Sequence, residues 1–260
     1  MVMKRFMSRL GVGAAEVDTV LDRPQTQPGT VVTGVTNIVG GKVEQEIEKV
    51  LVSLEATVEV EQDDSTWYEQ VTFGTQQVGG GFTVAPGQRI GGRFELAVPW
   101  QTPITTVGDW QLRGMKIGVR TKLAIPGAVD PGDLDPVEVH PLPIQEAVLA
   151  ALGDLGFQFH SADVEKGRLH GSDLPFYQEI ELRPSGDYAR RIRELEVTFL
   201  VDGAGTDVVL EADRRGGLLS SGGDELTRFR LSHQDLDRQA LGGLLHQQLE
   251  HLGRRRGWFR

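Results

Sequence analysis

The chain has no cysteine, which excludes a disulfide framework, a thiolate metal site and a cysteine nucleophile, and fits a reducing cytoplasm. No stretch approaches the ~20 apolar residues needed to cross a bilayer. The N-terminal MVMKRFMSRLGVGAAEVD lacks the continuous apolar core of a secretory signal. There is no His-Glu-x-x-His spacing among the six histidines, no Gly-x-Ser-x-Gly elbow and no lysine-bearing phosphate loop. The glycine pairs, such as Gly40-Gly41 and Gly216-Gly217, read as turns. Carboxylates are too abundant for any one pair to stand out as acid and base. These absences predict a chain with no catalytic residues and no cofactor.

At 260 residues the chain is long for one domain, and 39% hydrophobic with 25% charged residues is a globular composition. The formal net charge of −10 is unevenly spread. Lys4, Arg5 and Arg9 near the start, and Arg254, Arg255, Arg256 and Arg260 at the end, lie in segments without acids. Setting those seven aside leaves 20 basic against 37 acidic groups, a net of −17. An acidic body disfavours nucleic acid as a ligand, because phosphate neutralisation needs a continuous basic surface.

Period-two patterning dominates from Val17 onward. Strands are expected at Val17–Leu21, Val31–Val39, Val50–Val60, Trp67–Phe73, Val78–Val84, Phe94–Val98 and Met115–Ile125. In Val50–Val60 the valines, Leu54 and Ala56 alternate with Ser53, Glu55, Thr57 and Glu59, the pattern of a half-solvated antiparallel strand. Lys116, Arg120 and Lys122 give the last of these strands a cationic outer face. Further strands are expected at Gly156–Val164, Leu174–Leu182, Leu195–Val201, Asp207–Ala212 and Thr227–Ser232, with a hairpin turn at Asp202–Gly205. Two helices complete the set. One follows Pro143 and ends at Gly153; the other spans Asp235–Leu252 with a leucine stripe at 241, 244, 245, 249 and 252. Met3–Leu10 has the spacing of a short basic amphipathic helix.

Between the β-rich halves lies Ala128 to Pro143, AVDPGDLDPVEVHPLP. Pro131 suits the second position of a turn and Gly132 a positive φ at the third, so the stretch reads as a stiff interdomain joint built on Asp130, Pro131, Gly132, Asp133 and Pro136. The expected organisation is an N-terminal basic helix over 1–15, a sandwich over 16–127, the joint over 128–143, a second sandwich over 144–233, and a helix with a basic tail over 234–260.

Several segments resemble the bacterial sporulation-control protein family, which is related in fold to arrestins. They are Gly11–Leu21 (GVGAAEVDTVL), Val43–Ile47 (VEQEI), Ala128–Asp133 (AVDPGD), Leu155–Phe157 (LGF) and Leu174–Phe176 (LPF). The similarity runs in unchanged order from about Gly11 to Thr198 and is loose beyond, chiefly at Glu211–Arg215. It implies an all-β protein of two tandem arrestin-like β-sandwich domains, no enzymatic activity, a cytoplasmic location and a regulatory or scaffolding role. It carries no catalytic residues, and sporulation itself does not transfer with it.

Asp130, Asp133 and Asp135 are spaced to offer oxygens to a cation, but the ordered loop that ends in a bidentate glutamate is missing, so turn capping is the stronger reading. A further role is an interdomain charge lock with Arg214 and Arg215. Lys4, Arg5, Phe6 and Arg9, with Arg254, Arg255, Arg256, Trp258, Phe259 and Arg260, form the candidate contact surface, because exposed aromatics beside cations mark interfaces. The expected partners are proteins, with a second copy of the chain through open sheet edges and an anionic membrane surface as alternatives. A hydrolase on a β scaffold is the remaining alternative.

Overall fold

A computed structural model describes residues 13–62, 65–108, 110–127, 129–214 and 225–252. Met3–Leu10, with Lys4, Arg5, Phe6 and Arg9, lies outside the described residues, as do Arg215 and the tail Arg254–Arg260 with Trp258 and Phe259. The described chain is mostly β. Its strands are β1 (Glu16–Leu21), β2 (Gln25–Thr26), β3 (Val31–Val39), β4 (Gln45–Ile47), β5 (Lys49–Gln62), β6 (Ser65–Gly79), β7 (Phe82–Val84), β8 (Arg89–Ala97), β9 (Thr106–Val107), β10 (Trp110–Gln111), β11 (Ile117–Ala124) and β12 (Gly132–Val139). After helix α1 (Pro143–Asp154) come β13 (Phe157–Lys166), β14 (Phe176–Pro184), β15 (Ile192–Asp202), β16 (Gly205–Arg214), β17 (Glu225–Ser232) and helix α2 (Arg238–Leu252).

Two compact units form, and they interleave in sequence. The first takes Met1–Thr57, Glu69–Thr102 and Lys116–Val139; the second takes Val58–Tyr68, Pro103–Met115 and His140–Arg260. Strands β5 and β6 therefore supply residues to both.

In the first unit one sheet has the order β1-β3-β8, and another runs through β6, β5, β11, β12 and β2. The alternation in β3 turns Val32 and Ile38 inward. Ala15, Ile38, Ile47, Val50, Val84, Leu123 and Ile125 form one apolar cluster. Strand β1 lies against the second sheet through Thr19, whose N–H donates to Asp133 Oδ2 at 2.8 Å and whose hydroxyl donates to Thr121 Oγ1 at 2.7 Å.

Two expectations are corrected in this unit. Strand β5 is not half-solvated: Ser53 and Glu55 are buried along with the apolar side, with the Arg120 guanidinium bonded to the Glu55 carboxylate. The cationic side chains of β11 are neutralised locally. Arg120 donates through Nε and Nη2 to the two carboxylate oxygens of Glu55 at 2.8 and 2.7 Å, and Lys122 lies 3.1 Å from Asp130.

The proposed joint is corrected as well. Gly132–Val139 is strand β12, paired antiparallel with β11 from Ile117↔Val137 to Lys122↔Gly132 and parallel with β2 at its end. The left-handed glycine of the intervening turn is Gly127, at φ +66, and not Gly132. Gly132 is needed for proximity instead, since a Cβ there would lie 2.8 Å from the Thr121 carbonyl oxygen. Pro136 is tolerated because β12 borders only the two residues of β2 on its far side. The aspartates act within the unit. Asp130 Oδ1 accepts from the Ile125 N–H at 3.2 Å and Asp133 Oδ2 from the Thr19 N–H, while the Arg214 side chain and Arg215, the other half of the expected charge lock, lie outside the described residues.

The second unit is built on an antiparallel sheet ordered β17-β16-β15-β14-β13, extended by the end of β5 through the pair Glu165↔Glu59. Helix α1 starts at Pro143, where a missing N–H costs nothing, and the Gln145 side chain accepts the Leu142 N–H at 2.9 Å. It runs past Gly153, and the positive φ that follows it belongs to Gly156, at +92. Helix α2 buries Leu241, Leu245, Leu249 and Leu252. Its Arg238 pairs with Asp154 at 2.5 Å, and its Glu250 accepts from Arg191 Nη2 at 2.6 Å.

Replacing Gly132 with alanine is expected to destabilise the chain by about 1–3 kcal/mol, since backbone must move to admit the methyl group. A flexible joint at this position would tolerate the change, so an unaltered thermal unfolding midpoint for Gly132→Ala would refute the strand assignment.

Candidate functional site

The side chains of the second unit's sheet are sorted by a bulge. Strands β13 and β14 pair from Phe157↔Pro184 to Phe159↔Leu182, then resume at Ser161↔Glu181, leaving His160 as an extra residue. One inserted residue reverses the parity of everything after it. Phe157 and Phe159 therefore share a face with Leu182 and Ile180, whereas Asp163 and Glu165 share the opposite face with Glu179 and Glu181.

That opposite face is a band of carboxylates. Asp163 stands opposite Glu179, Glu165 opposite Glu59, Glu181 opposite Glu196, and Glu196 opposite Glu211. Like charges at directly paired positions repel. Burial pushes the Glu179 carboxyl up to about 8, with the charges of Glu196, Asp163, Glu165 and Glu211 adding to it. Asp163 is pushed up to about 7 by burial and then by Glu165, Glu181, Glu59 and Glu196. Its Oδ1 is buried without a hydrogen-bond partner among the described residues. The Tyr177 phenol in the same band rises to about 12, mainly through burial. At the margins the charges are matched: Arg183 meets Glu194 at 3.2 Å, and Arg228 meets Asp207 at 2.5 Å.

Two subsets of this region bring oxygen or nitrogen ligands together. Asp163, Glu165 and Glu179 each place one atom within 4.8 Å of the others, as do His160, Glu181 and Glu194. Three carboxylates that each offer one oxygen can attract a hard cation, and the remainder of the six to eight ligands that calcium takes would have to come from their second oxygens or from water. Asp130, Asp133 and Asp135 are not such a group among the described residues. Asp135 is instead pushed up to about 6 by burial and by the charges of Asp133 and Asp18.

On the other face lies a groove of about 690 Å³ lined by Trp110, Leu149, Phe157, Phe159, Ile180 and Leu182, with Arg113, Glu146 and His160 among its polar residues. The segment bearing Trp110 is clamped to β14 by one amide: the Ile104 N–H donates to Gln178 Oε1 at 2.9 Å, and Gln178 Nε2 donates to the Ile104 carbonyl at 2.8 Å. Strand β10 pairs with β9 through Trp110↔Val107, which holds the indole out; Trp110 is 81% exposed and Phe159 43%.

Neither feature was singled out from the sequence. The carboxylate band did leave a signal, an acid-x-acid pair in each of four successive strands: Asp163/Glu165, Glu179/Glu181, Glu194/Glu196 and Glu211/Asp213. The groove left none, because Trp110 sits in a two-residue strand.

These features define a mostly β protein with an acidic band on one face of a sheet and an apolar groove on the other. A family model described as "SpoOM protein" matches residues 3–216. The sporulation-control protein spo0M of Bacillus subtilis (strain 168) is 35% identical over 242 residues, covering 90% of this chain and 92% of the relative. The crystal structure of Spo0M, sporulation control protein, from Bacillus subtilis matches with a TM-score of 0.81 at 33% identity, covering 93% of this chain and 100% of the other. The chain belongs to the Spo0M family of sporulation-control proteins, and the resemblance read over Gly11–Thr198 falls within the matched range.

The carboxylate band makes stability depend on pH. Glu179 has an ordinary value of 4.5 and is raised to about 8 in the fold, so the folded chain favours the protonated form. Below pH 4.5 the group is protonated in both states and exerts no drag; as pH rises toward 8 the folded state loses stability relative to the unfolded. Glu179→Gln removes that loss. It is expected to gain about 1–3 kcal/mol over the parent at pH 9 and nothing at pH 4, read by urea unfolding at the two pH values. Equal stabilities at pH 9 would refute the assigned shift.

Proposed function

We propose that this chain is a non-catalytic cytoplasmic regulator that acts by binding a cationic segment of a protein partner across the carboxylate band of β13 to β16. The regulatory role is supported by membership of a sporulation-control family. The partner's chemistry is supported by one observation, the placement of Asp163 opposite Glu179 and of Glu196 opposite Glu211. A sheet selected only for stability would interleave cations at such positions, as it does at Arg228 and Asp207. Departures from that rule are expected where a surface serves a ligand. Lysine or arginine side chains arriving on the band reverse the sign of its internal electrostatics and draw protons off Glu179 and Asp163.

Among the described residues no helix is long and apolar enough to cross a membrane. The membrane-anchored alternative rests on the two basic termini, which lie outside the described residues.

An octalysine peptide serves as the probe. Binding is expected to weaken with added salt and to tighten between pH 6.5 and 8.5, because cations favour the ionised forms of groups raised to about 7 and about 8. The double substitution Glu179→Gln with Glu196→Gln is expected to weaken it by about tenfold or more, on the order of 1.4 kcal/mol. Affinity that is indifferent to both substitutions, measured by calorimetry, would reject the band as the binding surface.

A further inference from the structure

His160 is the residue that the bulge in β13 leaves without a cross-strand partner. A second irregularity lies in a nearby strand, where β15 shifts its register against β16 between Ile192 and Glu194. The two flank the same stretch of β14, because Ser161 pairs with Glu181 and Leu195 with Leu182, which sets Glu194 beside Arg183. Bulges re-aim side chains and concentrate next to functional sites. Here they bring an imidazole and a carboxylate from the flanking strands toward the Glu181 carboxylate on the strand between. We infer that His160, Glu181 and Glu194 form a binding site for a divalent transition-metal ion of the zinc type, set at the margin of the carboxylate band.

Spacing is the first support. One ligand atom from each residue lies within 4.8 Å of those from the other two, yet the His160 ring bonds to neither glutamate among the described residues. Ligands about 2.0–2.2 Å from a zinc ion stand about 3.4 Å from one another at tetrahedral angles, so small rotations of these side chains bring all three onto one ion.

The glutamates are also oriented from outside the trio. Ser161 Oγ donates to Glu181 Oε2, and Arg183 Nε donates to Glu194 Oε2 at 3.2 Å. Each carboxylate therefore has one oxygen fixed by a donor and the other, Oε1, available to a ligand, as outer hydrogen bonds arrange metal-binding carboxylates. The Arg183 side chain is 59% exposed, so water screens its charge, and two carboxylates outweigh it.

The donor set decides the class of ion. One imidazole nitrogen beside two carboxylates suits zinc and similar ions, whereas magnesium and calcium take oxygen ligands. Asp163, Glu165 and Glu179 offer oxygen only, so the two clusters differ in preference. His160 is exposed, which gives an ion a path in from water and leaves coordination positions for water or a partner's side chain. His160 also lines the Trp110 groove, so an ion held here fixes one edge of that groove as it ties β13, β14 and β15 together.

The test uses the full chain without an affinity tag at pH 7, with zinc chloride as the probe. Calorimetry is expected to show one zinc ion per chain, undiminished by excess magnesium. His160→Gln and Glu194→Gln are each expected to weaken zinc binding by about tenfold or more. Glu179→Gln is expected to leave it unchanged, since that group, raised to about 8, is already mostly protonated at this pH. The parent chain supplies a readout that needs no variant to fold. Zinc should shift a His160 ring nitrogen, assigned through its own backbone, while His233 and His246, whose rings bond to the Asp202 carbonyl and to Tyr188, stay in place. Zinc affinity unaltered in His160→Gln overturns the inference, and so does an unmoved His160 ring. Binding lost in Glu179→Gln but kept in His160→Gln also overturns it, placing the ion on the carboxylate trio, and displacement by magnesium would reduce the effect to general screening of acids. The octalysine experiment substitutes Glu179 and Glu196, which do not hold this ion, so the partner site and the metal site stand or fall separately.

Discussion

The bulge at His160 is the constraint on which both faces of the second unit's sheet depend. Phe157, Phe159, Ser161, Asp163 and Glu165 are all odd-numbered, and in a regular strand they would share one face. The extra residue between Phe159 and Ser161 divides them. Aromatics go to the side of Ile180 and Leu182, where helix α1 and the Trp110 hairpin enclose a groove, and carboxylates go to the other. Without that single insertion the acids would stand among phenylalanines, and neither surface could form.

The two units differ in how they handle their most buried charges. In the first, Glu55 is buried yet receives two hydrogen bonds from Arg120, and Asp133 accepts the Thr19 N–H, while Asp135 keeps one buried oxygen without a partner among the described residues and is raised to about 6. In the second, Asp163 and Glu179 are raised to about 7 and about 8, first by burial and then by neighbouring carboxylates. The energy held in that band is released by protons, by cations or by a cationic chain. A surface of this kind responds to its environment in a way that the Glu55–Arg120 pair does not.

Membership of the Spo0M family makes this chain a homologue of a sporulation-control protein. Its second unit carries two surfaces of different chemistry on opposite faces of one sheet, acidic on one and apolar on the other. Gln178 links them in sequence terms, lying between Tyr177 of the band and the strand positions that line the groove, while its amide fixes the Trp110 segment through Ile104.

The sequence by itself determined the β class, both helices, strand β3 to the residue and the hairpin at Asp202–Gly205, because period-two and period-3.6 patterns are local properties of the chain. It also determined the family, through segments that keep their order. It misassigned Ala128–Pro143, since Asp-Pro-Gly-Asp has the composition of a turn, and only pairing with β11 and β2 makes Gly132–Val139 a strand. It took β5 as half-solvated, since burial of Ser53 and Glu55 depends on neighbours distant in sequence. The interleaving of the two units, the gathering of acid-x-acid pairs from four strands into one band, and the separation of those acids from the aromatics of β13 were decided only by tertiary structure. Register and bulges are set between strands, and no single strand's sequence contains them.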